Sequence, residues 1–147
     1  MRLLTALSIP LALALAGAAE AEDSRALVRF PEPMQEHMLA NMRDHLVALN
    51  EILGHLAESK FDAAAKIAEE RLGMSSLERH GASHMAPFMP KPMQDLGTSM
   101  HRAASRFAIA AQNASVAQSF EGMRDVFRAL HEVTATCTGC HAGYRIR

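Results

Sequence analysis

From residue 31 onward, apolar side chains recur every three or four positions, and no stretch alternates as a half-buried strand would. Pro31 and Pro33 open a first helix with Met38, Met42, His45/Leu46, Leu49, Ile52/Leu53 and Leu56 on one face, and Glu36, Arg43, Asp44 and Glu51 on its polar side. Ser59, with Asp62 three residues on, reads as a helix start. An alanine-rich second helix then runs from Phe61 to Leu72 and ends at Gly73. Residues 74–92 are irregular. Pro87, Pro90 and Pro92 forbid one continuous helix, so the pattern predicts a long connection holding one short helical piece. A third helix starts near Pro92 and reaches about Asn113, with Met93, Leu96, Met100, Ala103/Ala104, Phe107 and Ala110/Ala111 inward. Ser115 and Gln118 read as a capping box for a fourth helix. On it Phe120, Met123, Phe127, Leu130, Thr134, Cys137, His141 and Tyr144 share a face. Four amphipathic helices with one crossover connection predict an all-α chain folded as a four-helix bundle.

The first residues follow a different rule. Met1-Arg2 gives a charged start, Leu3 to Ala16 form an apolar run, and small residues allow cleavage after Ala18, Ala19 or Ala21. That is the pattern of a secretory signal peptide over 1–21, with one domain over 22–147. An uncleaved membrane anchor is the competing reading; once the signal is removed no membrane span is expected.

Near the other end stands Cys137-Thr138-Gly139-Cys140-His141, which contains the only two cysteines of the chain. A Cys-x-x-Cys-His run is the attachment pattern of a c-type haem. On a helix, residues three apart share a face, so both thiols can reach one porphyrin edge, and His141 follows at once as an iron ligand. A redox dithiol would call for a βαβ context that the periodicity does not offer. A zinc site would need further ligands, and no other cysteine exists to complete one. With no third cysteine, a structural disulfide alongside the motif is excluded.

This C-terminal motif, followed by Tyr144-Arg145 at the end of a four-helix chain with a signal peptide, resembles the class II c-type cytochromes, which comprise cytochrome c′ and its low-spin, methionine-ligated relatives. Phe61-Asp62-Ala63-Ala64 is similar to the family's usual opening of the second helix, and Met42-Arg43-Asp44-His45 to its methionine-bearing segment. The resemblance implies one haem c on the C-terminal helix, covalently attached through two thioethers at Cys137 and Cys140. It further implies His141 as proximal ligand and Met42 as sixth ligand. Met38 and His45 remain alternatives, and Leu39 corresponds to the five-coordinate form. Where members of the family often carry a basic residue beside the haem propionates, this chain has Gln35. The implied function is an exported monohaem carrier of single electrons between periplasmic redox partner proteins, not an enzyme; a homodimer is left open. The alternative within the family is five-coordinate binding of NO or CO.

Composition narrows the field from another side. The formal charge is −1, tryptophan is absent and Tyr144 is the only tyrosine. Without a basic stripe or stacking aromatics, no nucleic-acid partner is expected. Nor does any catalytic acid–base pair or nucleophile stand at a recognisable spacing. Between 80 and 101, however, His80, His84, Met85, Met89, Met93, Met100 and His101 lie close together in sequence. Thioethers with imidazoles suit Cu(I), so a periplasmic copper-binding role for this segment competes with a bland one. In the bland one the methionines pack the bundle end over the haem and the histidines are solvated.

Overall fold

The computed structural model describes residues 22–147; the expected signal peptide, 1–21, lies outside the described residues. The described residues are all-α apart from one minimal strand pair. Helix α1 spans Glu32–Ala57, with a proline in its first turn, where the missing N–H costs nothing. Helix α2, Phe61–Ile67, passes without a break into a π-helical turn, Ala68–Leu72. Short 3-10 turns at Met74–Ser76 and Ala86–Phe88 flank a four-residue α3, Ala82–Met85. Helix α4 is Lys91–Ala117 and α5 is Phe120–Gly143. The expected long connection with one short helical piece is therefore present between residues 73 and 90.

Two glycines shape that connection. A Cβ on Gly73 would sit 2.8 Å from the Glu69 carbonyl oxygen, so only glycine lets the chain leave the π turn there. Gly81 takes φ +63°, the left-handed region, and turns the chain into α3.

Two expectations about helix ends are corrected. Ser59 does not cap α2; it sits at φ +58° in the turn, and Lys60 precedes the helix without a side-chain cap. Ser115 lies inside α4, where its hydroxyl donates to Asp62 Oδ2 (3.1 Å), and Gln118 ends that helix at φ +41°. The cap of α5 is Ser119, whose Oγ accepts from the Gly122 N–H (3.0 Å). Helical periodicity continued through 114–117, so the break falls four residues later than the Ser–Gln pair indicated.

The inward faces are also rotated from the expected ones. On α1 the buried set is Met38, Asn41, His45, Ala48, Ile52 and Leu56, whereas Leu46 and Leu53 face outward. On α5 the buried residues are Val126, Leu130 and Val133; Phe120 and Phe127 are exposed. A full apolar stripe is wider than the seam its neighbours cover, so periodicity alone does not choose the centre of the seam.

The core gathers Ala48, Ile52 and Leu56 of α1, Ala64 and Ala65 of α2 with Ala68 of the π turn, Ala104, Phe107 and Ala111 of α4, and Val126 and Val133 of α5. Helix α4 packs along both α5 and α2, and α2 packs on α1, while α1 and α5 meet at most marginally. Arg71, on the π turn, fixes that turn to α1 by pairing with Asp44 and with Glu51 (2.7 Å). A two-residue parallel pair, Ala26–Leu27 (β1) with Tyr144–Arg145 (β2), ties the chain before α1 to the end of α5. No helix among the described residues is long and apolar enough to cross a membrane.

Candidate functional site

Where α1 and α5 fail to close on each other, a cavity of about 510 Å³ opens. Its walls come from five places: Arg25 ahead of α1, the first half of α1, the 77–89 connection, the first half of α4, and the end of α5 with the residues after it. The volume falls within the range of small-molecule and cofactor sites.

Cys140 and His141 line one wall, while Met38, Leu39 and Met42 line another. Met42 is half-buried and His141 exposed. Cys137, one turn before Cys140, packs instead against the apolar core. Both cysteines are free thiols, and partial burial raises both pKa values. Burial thus favours the neutral thiol at both positions. The sequence-predicted residues Cys140, His141, Met42 and Met38 therefore border one space, together with Leu39 and His45.

The strand pair completes that space. The Val28 N–H donates to the Arg145 carbonyl (2.8 Å), and Gln35 Nε2 donates to the Ile146 carbonyl (2.5 Å). Gln35 is thereby committed to the backbone. Cations on the lining come instead from Arg25, Arg145 and Arg147. Arg25 is paired with Asp23 (2.7 Å), and its Nη1 donates to the His141 carbonyl (3.4 Å). Arg145 is 3.5 Å from Asp23, and its Nε is buried without a hydrogen bond. Sequence reasoning missed these arginines, because no spacing rule links residues 25 and 145.

The methionines Met85, Met89, Met93 and Met100 also line the cavity, as the bland reading of 80–101 expects. The histidines depart from it. His84 is exposed, but His80 and His101 are buried at 4% and 7% exposure, and His45 joins them at 8%. Their ring centres are 4.7 Å (His45–His80), 5.3 Å (His80–His101) and 6.0 Å (His45–His101) apart.

Hydrogen bonds assign the tautomers of two of the rings. His101 Nδ1 donates to the Leu72 carbonyl (2.7 Å), a helix-end acceptor without a helical partner. The Ser76 hydroxyl donates to the Gly73 carbonyl (2.7 Å), so its oxygen accepts from His80 Nδ1 (3.3 Å). Each ring is left with a bare Nε2 lone pair. The His80 carbonyl accepts from Asn41 Nδ2 (3.0 Å) and His37 Nε2 (3.1 Å), fixing that turn to α1. His45 Nε2 and His80 Nε2 are buried and have no partner at all. Burial first, then the neighbouring rings, pushes His45 and His80 down to about 4. Burial also lowers His101, against the opposing pull of backbone carbonyls.

No family model, no curated protein and no solved structure matches this chain.

Proposed function

We propose that the protein is an exported monohaem c-type cytochrome, of the class II kind, that carries single electrons between periplasmic partner proteins. The observation that carries this reading is the shared cavity: Cys140 and His141 of a Cys-x-x-Cys-His run border it from α5, and Met38 and Met42 border it from α1. The residues present fit the group. Cys137 and Cys140 would hold haem c through two thioethers, His141 would ligate the iron, and Met42 would be the sixth ligand. Such a group supplies a one-electron couple, and a His/Met pair raises its potential. The methionine-lined walls would surround the group, and Arg25, Arg145 and Arg147 would offer cations to the carboxylates a haem carries. In this reading the four long helical segments form a four-helix bundle closed by the cofactor where α1 and α5 diverge.

A second reading is binding of NO or CO at five-coordinate iron. It rests on Leu39, which lines the same wall of the cavity as Met42. Absorption spectroscopy of the protein expressed with export and haem maturation decides between them. A low-spin spectrum with covalently retained haem is the expected result. A high-spin spectrum with ready CO uptake selects gas binding, and a protein without covalent haem overturns both.

A further inference from the structure

The three buried histidines line the same cavity, and a haem held through His141 and Met42 leaves them without a role. They come from three separate parts of the chain, α1, the 77–81 turn and α4, and two of them bury an unpartnered Nε2. A buried polar atom without a partner is costly, so two such atoms beside a third buried ring call for something that satisfies them. An imidazole ring centre lies about 3.2 Å from a metal bound at the usual distance, so at trigonal or tetrahedral angles two ring centres lie about 5.2–5.5 Å apart. The observed separations of 4.7, 5.3 and 6.0 Å bracket that span.

The surroundings match as well. Metal-bound histidines characteristically donate their other ring nitrogen to a carbonyl or similar acceptor, as His101 does to Leu72 and His80 does to Ser76. Among the described residues, no three His, Cys, Asp or Glu side chains stand ready to hold a metal as they are now turned. Filling this site therefore rotates the rings about χ2, a torsion with broad minima.

We infer that His45, His80 and His101 form a binding site for one copper ion, taken as Cu(I), in the wall of the cavity that Cys140 and His141 border. Nearby thioethers select the metal. Met42 lies one turn before His45 and Met100 next to His101, and both line the same cavity, a soft-donor setting that favours Cu(I).

The test uses the exported full chain as isolated, dialysed anaerobically against chelator-buffered Cu(I), with iron and copper counted by elemental mass spectrometry. One copper per chain is expected in the wild type and in His84→Ala. Affinity should fall at least about tenfold in His45→Ala, His80→Ala and His101→Ala, and about tenfold in Ser76→Ala, where only the hydroxyl that orients the His80 ring is lost. Circular dichroism checks that each variant is folded. X-ray absorption of the wild type covers any variant that is not, with a shell of nitrogen neighbours at about 2.0 Å expected. Copper retained in all three histidine variants, a sulfur-dominated shell, or displacement by equimolar Zn²⁺ would overturn the assignment. Alkylating free thiols first separates this proposal from the haem reading. Protein that lacks haem iron should still take up copper after alkylation, and loss of copper on alkylation places it on the cysteines and overturns the histidine site.

Discussion

The two ends of this molecule solve opposite problems. Away from the cavity, small residues let the helices approach closely: Ala64 and Ala65 of α2 and Ala68 of the π turn join Ala104, Ala108 and Ala111 of α4 around Phe107, all at 4% exposure or less. Toward the Cys-x-x-Cys-His run the lining changes to methionine and histidine, α1 and α5 diverge, and about 510 Å³ is left open. One end is closed by its own side chains. The other leaves a cavity, with His45 Nε2 and His80 Nε2 buried beside it without partners. The contrast separates where the fold stores stability from where it leaves room.

The largest effect should come from breaking the closed end. Phe107→Ala removes a ring that is 1% exposed, and should cost about 3–5 kcal/mol in denaturant unfolding. A cost below about 1 kcal/mol would mean that this end is no better packed than the cavity.

Acid should act on the other end. With copper chelated away, His45 and His80 are held near 4 by burial and by the other rings of the cluster. For His45, Asp44 opposes the shift and Arg79 adds to it; for His80, Arg79 and His37 add to it and Asp44 opposes. The unfolded chain takes up these protons near pH 6.5 and the folded chain only near 4, so stability is full above about 6.5 and declines as pH falls toward 4. The loss per histidine is on the order of 3 kcal/mol. Unfolding midpoints at pH 7 and pH 4.5 should differ clearly in the wild type and less in His45→Gln. An equal difference in both would remove His45 from the acid response.

Overfilling the closed end should cost somewhat less than emptying it. Ala104→Leu adds bulk where exposure is zero, and about 1–3 kcal/mol should be lost. The same change at Gly97, where a Cβ would meet nothing within 4 Å, should be tolerated far better, and thermal melts of the two variants compare the ends directly.

The smallest effect on stability should carry the largest effect on the site. Met42→Leu keeps apolar volume, so the fold should lose only about 1 kcal/mol. If Met42 is the sixth ligand, the haem spectrum should turn high-spin and CO should bind; Met38→Leu and His45→Ala made in parallel should stay low-spin. A low-spin spectrum in Met42→Leu with a high-spin one in either control moves the role to that residue.

Periodicity carried the four long helical segments, the irregular stretch after Gly73 and the helical break at Pro90, because a 3.6-residue repeat and proline are strictly local signals. The Cys-x-x-Cys-His run was equally legible, since its chemistry needs neighbours in sequence. Which side of each stripe faces inward was not. Leu46, Leu53, Phe120 and Phe127 are as apolar as the residues that displaced them, and only the neighbouring helices choose between them. The caps failed for a related reason: Ser115 has the right chemistry for a cap, but Asp62 from another helix holds its hydroxyl.

The same division applies to the site. Local spacing alone placed Cys137, Cys140 and His141 together and put Met42 on an inward stretch of α1. Bringing His45 to His80 and His101, and Arg25 and Arg145 to one rim, took the tertiary structure. These contacts span tens of residues, and a ring's burial depends on what packs over it. Sequence fixes what a residue can do; the packing of α1 against the 77–81 turn and α4 decides which residues do it together.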